Sequence, residues 1–235
     1  MTLSIEEINR QLEEYPHDLS VWREYLSYCR RHDLSHDRYL DYLDNNALVI
    51  LYKHTWYINK GKDLDVLSGV FTTDLESIIL ANLELESTKG LEDLIAPNFK
   101  ELWIGSIQHI ELTACPTILN LYDNHITLSN TIDLTSLTKL ESSNSQISNM
   151  DKIYDAINLE DLSVENVNTL NSRCFIPKIS KFKKLKNFST GTTDELKQFG
   201  DSKSLISIRS YGVEPLVDKG WYPNLEYPIK GINKR

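Results

Sequence analysis

Apolar positions recur with the same internal spacing through the middle and later parts of the chain. Each unit is an apolar residue, two variable residues, an apolar residue, one variable residue, and a further apolar or small residue. The seven copies begin at residues 75, 99, 116, 137, 159, 185 and 205, with intervals of 24, 17, 21, 22, 26 and 20 residues. The alternation of the fourth and sixth positions predicts a short strand that turns two side chains toward one core.

The copy that runs from Leu119 to Ile126, with Asn124 between them, resembles the leucine-rich-repeat consensus L-x-x-L-x-L-x-x-N-x-L, which has a period of about 20–29 residues. The resemblance covers residues 75–215. The other copies place Leu83, Ile107, Ser145, Val167, Thr193 and Val213 at the asparagine position. The resemblance implies an α/β solenoid of stacked parallel strands. A parallel sheet with crossover helices is the alternative, but it needs about a dozen residues per crossover, and many intervals are shorter.

The N-terminal region predicts helices. Ser4 and Glu7 form a capping box, Pro16 ends the first helix, Asp18 can cap a second helix, and Ser35 a third. These features predict a helical N-terminal cap over residues 1–46. The β-branched and aromatic run 47–57 predicts one strand within a transitional segment, 47–74, that contains a degenerate first coil. The repeat array then occupies residues 75–215, and a C-terminal cap or tail occupies residues 216–235.

Charge is distributed unevenly along the chain, whose net charge is −9. Residues 75–176 carry 15 acidic and 5 basic side chains, whereas residues 177–235 carry 6 acidic and 12 basic ones. An acidic middle repels phosphates, so nucleic acid is excluded as its partner. Charge complementarity favours a basic protein instead. The basic cluster within 178–186 predicts a solvated face, with a second recognition patch as the alternative.

The resemblance also implies where a partner would bind. In the family, strands line the concave side, and the variable residues between the leucines contact ligands. The central variable column here is Ile79, Trp103, Asn120, Glu141, Ser163, Ser189 and Arg209. The next column is Ala81, Gly105, Tyr122, Ser143, Glu165, Gly191 and Tyr211, and the flank adds Glu101, Asp123, Lys139, Glu160 and Asp161. We expect the protein-binding residues to be Trp103, Tyr122, Asp123, Glu141, Glu160, Asp161, Glu165, Arg209 and Tyr211.

Motifs for catalysis or cofactor binding are missing from the sequence, which has no phosphate-binding loop, dinucleotide fingerprint, zinc-protease motif or nucleophile elbow. The pair His32 and His36 straddles a predicted helix boundary, which favours a solvated connection over a metal site. His109 and His125 are expected at the surface of adjacent coils. Adjacent strand residues point to opposite faces, so the neighbours Glu160 and Asp161 do not predict a catalytic dyad. We therefore expect no enzyme, no cofactor and no bound metal.

Three well-separated cysteines, Cys29, Cys115 and Cys174, predict buried free thiols rather than disulfides. The chain lacks a membrane-spanning apolar run and a signal-peptide pattern, which predicts a cytoplasmic protein without membrane contact. The leading hypothesis is a module that sequesters or recognises a basic protein, with a bacterial immunity protein against a toxin as one form. The alternative is a substrate-recognition adaptor with an F-box-like layout, and an enzyme is a third possibility. The sequence leaves the oligomeric state open.

Overall fold

A computed structural model describes residues 3–46, 49–58, 61–81, 84–167, 177–191, 202–210 and 224. The chain begins with three helices: α1 spans Ile5–Glu14, α2 Leu19–Arg31 and α3 Asp37–Asn45. The predicted N-cap residues of the first two helices, Ser4 and Asp18, are confirmed, although the Glu7 carboxylate of the predicted capping box accepts from Arg10 instead. The Ser4 hydroxyl accepts a hydrogen bond from the Glu7 N–H, and the Asp18 carboxylate accepts one from the Ser20 N–H. No helix among the described residues is long and apolar enough to cross a bilayer.

The third helix begins differently from the prediction. Its N-cap is His36, whose side chain makes no capping hydrogen bond, while the Ser35 hydroxyl accepts from the Asp37 N–H at 3.2 Å. The His36 side chain is turned inward and is only 7% exposed, with its ring centroid 3.8 Å from that of Phe71. The prediction of a solvated connection is therefore wrong for His36, although His32 is exposed.

The segment predicted as one strand over 47–57 folds instead as a hairpin. Strand β1 spans Val49–Tyr52 and strand β2 spans Thr55–Ile58, and the two pair antiparallel. The turn contains Lys53 with φ of 51°, and this left-handed conformation reverses the chain. Because β2 then pairs parallel with the next strand, it is the first strand of the parallel stack.

All seven repeat copies form strands of one parallel stack. The strands are β3 (Ser77–Leu80), β4 (Glu101–Gly105), β6 (Ile118–Tyr122), β8 (Lys139–Ser143), β10 (Asp161–Glu165), β11 (Asn187–Thr190) and β12 (Ser207–Ser210). With β1 and β2 they make a nine-stranded sheet in the order β1-β2-β3-β4-β6-β8-β10-β11-β12. The prediction of a solenoid of short parallel strands is confirmed.

Burial follows the predicted alternation. The fourth positions of the copies align as a ladder of buried residues: Ile78, Leu102, Leu119, Leu140, Leu162, Phe188 and Ile208. Each full burial of such a side chain stabilises the fold by about 1.5–3 kcal/mol. The sixth positions from β3 to β11 in the large sheet form a second buried ladder, in which two small polar residues, Ser142 and Thr190, stand among aliphatic ones. The coils therefore share one continuous core.

A second, smaller sheet is built from the chain segments that follow β4, β6 and β8. It consists of β5 (Ile110–Leu112), β7 (His125–Leu128) and β9 (Gln146–Ser148), which pair parallel. In the large sheet, the residue that follows each of β4, β6, β8 and β10 has a left-handed backbone: Ser106, Asp123, Asn144 and Asn166, with φ from 51° to 56°. At Ser106, Asp123 and Asn144, these corner residues turn the chain from the large sheet toward the small one.

The helices contact the first coils through specific groups. The Tyr39 hydroxyl donates to the Val66 carbonyl at 2.6 Å, and Arg23 lies 3.2 Å from the Asp65 carboxylate. The His36–Phe71 ring contact joins the same two regions. The aromatic side chains of the helices pack mainly on one another, with Trp22 stacked 4.8 Å from Tyr42.

Candidate functional site

The outward-facing side chains of the nine-stranded sheet form a surface that we call the sheet face. Its central row follows the predicted variable column in register: Ile79, Trp103, Asn120, Glu141, Ser163, Ser189 and Arg209. The hairpin extends this row with Ile50 and Tyr57. The row thus runs from apolar and aromatic side chains, through an amide and a carboxylate, to serines and an arginine.

Two aromatic rings on adjacent strands form the most prominent contact of the sheet face. Trp103 on β4 and Tyr122 on β6 have ring centroids 5.6 Å apart and planes inclined by 22°, so they stack. Both side chains are half-buried. Beside them, Gly105 pairs with Tyr122 in register, and a Cβ added to Gly105 would meet nothing within 4 Å. The stacked pair therefore has open space beside it at Gly105, which we call the Gly105 hollow.

Carboxylates surround this pair. Burial raises the pKa of the Tyr122 hydroxyl to about 12, and the charge and hydrogen bond of Glu141 and the charge of Glu101 add to the effect. Tyr122 consequently stays protonated at neutral pH, with its hydroxyl near the Glu141 carboxylate. The Glu141 carboxylate also lies 3.4 Å from the Lys139 ammonium. The aromatic pair thus lies in a field of negative potential, which one lysine partly offsets.

Asn120 lies between Trp103 and Glu141 in the central row and is only 1% exposed. Its amide nitrogen donates to the Glu101 carboxylate at 2.8 Å. Its carbonyl oxygen is buried and has no hydrogen-bond partner among the described residues. A buried acceptor without a donor is destabilising, so this position is costly in the free protein. The sequence placed Asn120 in the column but gave no sign of its burial.

A groove of 450 Å³ crosses four strands of the large sheet, β8, β10, β11 and β12. The outward residues that line it are Lys139, Glu141, Asp161, Ser163, Asn187, Ser189, Ser207 and Arg209. The serines leave the groove open because their side chains are short. Glu141 borders both this groove and the aromatic pair, so the two features are continuous.

The other predicted site residues fall into different environments. Glu160 lies just before β10 and accepts from the Lys186 ammonium at 2.7 Å, and Asp161 accepts from the Asn187 amide. Glu165 ends β10, half-buried. Asp123 is exposed at a corner beyond β6, so it does not lie in the strand rows. Tyr211 lies outside the described residues.

Histidines and cysteines do not gather into a metal site in the part of the chain that the structure describes. His109 and His125 are exposed on adjacent coils, with ring centroids 5.3 Å apart, as predicted. Cys29 is buried and Cys115 half-buried, and both are free thiols. Burial raises the pKa of Cys115 to about 12. Cys174 is not among the described residues.

The basic segment 178–186 is exposed at each of its lysines. Several of these lysines contact the neighbouring coil: Lys184 donates to Asn158 at 2.6 Å, and Lys181 lies 4.5 Å from the centre of the Tyr154 ring. Lys186 pairs with Glu160. These contacts fit the predicted solvated face, in which long side chains cover adjacent surface.

No protein-family model matches this chain, and no curated protein or solved structure matches it either. The architecture and the geometry of the sheet face are therefore the basis for any statement about function.

Proposed function

We propose that this chain is a non-catalytic protein-binding module that sequesters or recognises a basic partner protein through the sheet face. The observation that carries this proposal is the stacked Trp103–Tyr122 pair bordered by the carboxylates of Glu101 and Glu141. Aromatic anchors ringed by polar groups are typical of the energetic centre of an interface. Carboxylates around the anchors favour cationic partners and speed their encounter.

The groove beside the pair supports the same proposal. Its serines, Ser163, Ser189 and Ser207, leave 450 Å³ open across four strands. A partner segment that lies in the groove would contact Glu141 at one end and Arg209 at the other. We propose that the groove extends the contact area beyond the aromatic centre. Binding by contact area, rather than by a single deep pocket, is typical of protein partners.

The direction of the pKa shifts supports a non-catalytic role. Burial raises the pKa of both Cys115 and Tyr122 to about 12, so both groups stay protonated at neutral pH. A nucleophile or general base needs a shift toward the working pH. Glu160, which the sequence places beside Asp161, is already paired with Lys186.

We also propose that the coils are leucine-rich repeats and that α1–α3 cap the stack. Asn124 occupies the consensus asparagine position, and its side chain bonds to backbone groups of the preceding coil, at Ile104 and Ile107. Capping by the helices would cover the apolar end that a terminal coil otherwise exposes. A bacterial immunity protein that neutralises a basic toxin would be one form of this function.

Capture from an extract of the producing cells tests the proposal. We expect one basic protein to be retained in stoichiometric amount by the wild-type chain and lost with Trp103→Ala or with Glu141→Lys. Tyr15→Ala and Glu111→Lys are matched controls, because Tyr15 and Glu111 are exposed and lie outside the nine-stranded sheet. Retention by every sheet-face variant would contradict the proposal. Capture of a multisubunit assembly would instead favour the adaptor function.

A further inference from the structure

The environment of Asn120 suggests what chemistry the aromatic centre accepts. Asn120 lies on β6 next to Trp103 on β4 and Glu141 on β8, and Tyr122 lies two residues further along β6. The hollow beside Gly105 lies at the same place. Within one strand spacing on either side of β6, roughly 5 Å, the sheet face therefore offers two π-faces, two carboxylates and an amide.

The orientation of the Asn120 amide is fixed by its partner. Its nitrogen must face Glu101, because a carboxylate can only accept, and the observed distance is 2.8 Å. The carbonyl oxygen is then left as an acceptor, buried and without a donor among the described residues. A ligand that supplies an N–H to this oxygen would remove the penalty of an unsatisfied buried acceptor. Within this cluster, the Asn120 oxygen is therefore the buried acceptor that still needs a donor.

We propose that Trp103, Asn120, Tyr122, Glu101 and Glu141 form a subsite for one arginine side chain of the partner protein. This inference rests on the proposed function, because it names the side chain that the sheet face receives. The guanidinium lies over the aromatic pair from the side of the Gly105 hollow, donates to the two carboxylates, and reaches the Asn120 oxygen after a flanking side chain moves aside. It also displaces Lys139 from Glu141.

Arginine fits this arrangement better than lysine. A guanidinium is planar, presents five N–H donors in a fixed fork, and stacks on aromatic rings. The acceptors here are divided among three side chains, Glu101, Asn120 and Glu141, which a compact ammonium cannot reach together in the same way. An ammonium is also more strongly hydrated, so its transfer into a half-buried site costs more. The cluster therefore discriminates between two cations of equal charge.

Titration of the full chain with Nα-acetyl-arginine methylamide tests the subsite. The lysine analogue and the neutral, equally shaped citrulline analogue serve as matched probes at constant ionic strength. The readout is fluorine NMR of fluorotryptophan-labelled protein, with the Trp103 signal assigned by Trp103→Phe. A single side chain binds weakly, with a dissociation constant on the order of 1 mM, which NMR can measure. We expect a saturable shift of the Trp103 signal with arginine, at least about fivefold weaker binding of lysine, and no response to citrulline.

Variants separate the contributions. Glu141→Gln should weaken arginine binding several-fold, and Gly105→Leu should abolish it by filling the hollow. Asn120→Leu should reduce the preference for arginine over lysine, and Asn120→Ser provides the same measurement if the leucine variant is unstable. Asp151→Asn is the control, because Asp151 is an exposed acid outside the sheet face. Equal responses to arginine and lysine, or responses unchanged by Glu141→Gln and Gly105→Leu, would overturn the subsite.

The two proposals fail in different ways. If Trp103→Ala abolishes partner capture but the arginine analogue causes no shift, the arginine subsite is overturned and the protein-binding function stands. If the arginine analogue binds as expected but every sheet-face variant still captures the partner protein, the proposed function is overturned. Agreement of both experiments supports both proposals.

Discussion

The side-chain oxygen of Asn124 accepts a hydrogen bond from the backbone N–H of Ile107 at 2.9 Å. The amide nitrogen of the same side chain donates to the Ile104 carbonyl at 2.7 Å. Asn124 is fully buried, so these bonds satisfy two backbone groups of the preceding coil that water cannot reach. The hydrogen bonds of this one side chain therefore link two successive coils at the corner between the large and small sheets.

We expect Asn124→Ala to lower the free energy of unfolding by about 2–4 kcal/mol, because it leaves a buried N–H and a buried carbonyl unsatisfied. Asn98→Ala is the matched control. The Asn98 amide also donates to a carbonyl of the preceding coil, that of Thr73, but Asn98 is exposed and water can replace it. Urea unfolding followed by circular dichroism measures both variants. Equal effects of the two substitutions would show that burial of Asn124 does not matter.

Substitution by alanine should have opposite effects on the stability of the fold at two glycines. Gly90 has φ of 101°, and a Cβ there would lie 2.3 Å from the Leu64 carbonyl oxygen, so Gly90→Ala should destabilise the fold by at least about 2 kcal/mol. Gly105 has open space around the same position, so Gly105→Ala should stabilise the fold by about 0.4–1 kcal/mol by restricting the unfolded chain. Thermal melts of both variants check the sign. A destabilised Gly105→Ala would contradict the open hollow beside Tyr122.

His36 should make stability depend on pH. Burial lowers the pKa of His36 below its ordinary value of 6.5, while the neighbouring Asp37 carboxylate acts in the opposite direction. The unfolded chain therefore binds a proton at a higher pH than the folded chain does. The stabilising contribution is complete above 6.5 and is lost as the pH falls through the lowered pKa.

The variant His36→Phe keeps a ring against Phe71 but cannot be protonated. We expect the variant to lose less stability than the wild type between about pH 8 and about pH 5, as measured by urea unfolding at several pH values. His32→Phe is the control, because His32 is exposed. The same pH dependence in the wild type and in His36→Phe would contradict the assignment.

Removal of the helices should expose the first coils. Deletion of residues 1–45 removes the Tyr39 hydrogen bond to Val66 and the His36 ring from Phe71, and leaves apolar side chains uncovered. We expect insoluble or unfolded protein, measured by the soluble fraction and by calorimetry. Tyr39→Phe is a milder variant that loses only the hydrogen bond and should remain folded. A soluble truncation with a cooperative melt would contradict the capping role.

Once a partner protein is identified, binding kinetics should distinguish the aromatic residue that holds the partner from the acidic residues that attract it. Trp103→Ala should cost more than ~2 kcal/mol of affinity, mainly through faster dissociation. The pair Glu141→Lys and Glu165→Lys should slow association and weaken its dependence on salt, because steering charges act on the encounter. Surface plasmon resonance at two ionic strengths measures both effects. If lysine substitutions in 178–186 abolish binding while these reversals leave association unchanged, the basic segment is the site instead.

The strands of the large sheet could be predicted from the sequence because the spacing that indicates them lies within a few neighbouring residues. Each copy places an apolar residue and, two positions later, an apolar or small residue, and the strand forms around them, as it does around Leu119 and Leu121 in β6. The adjacency of Trp103 and Tyr122 followed from the same register. The small sheet was not predicted, because its strands are three or four residues long and their pairing depends on where the preceding corners lie.

Other features depend on long-range packing that periodicity does not encode. His36 looked like a linker residue because its burial comes from Phe71, which lies 35 positions later in the chain. The burial of Asn120 likewise depends on side chains of two other strands. The hairpin at Lys53 lacked the glycine or asparagine that usually marks such a turn. The asparagines and aspartate at three of the corners were a usable signal, since these residues tolerate left-handed backbone.

The four corner residues, Ser106, Asp123, Asn144 and Asn166, have a consequence for how such a chain can change over evolutionary time. The stretches between successive corners differ in length, yet every corner leaves its strand at the same point and with the same backbone conformation. A duplication or deletion whose ends fall at two successive corners would therefore add or remove one whole coil. The strands of the neighbouring coils would keep the same side chains turned toward the core. Lineages of this protein would then vary in the length of the sheet face while the side chains of each coil are inherited unchanged.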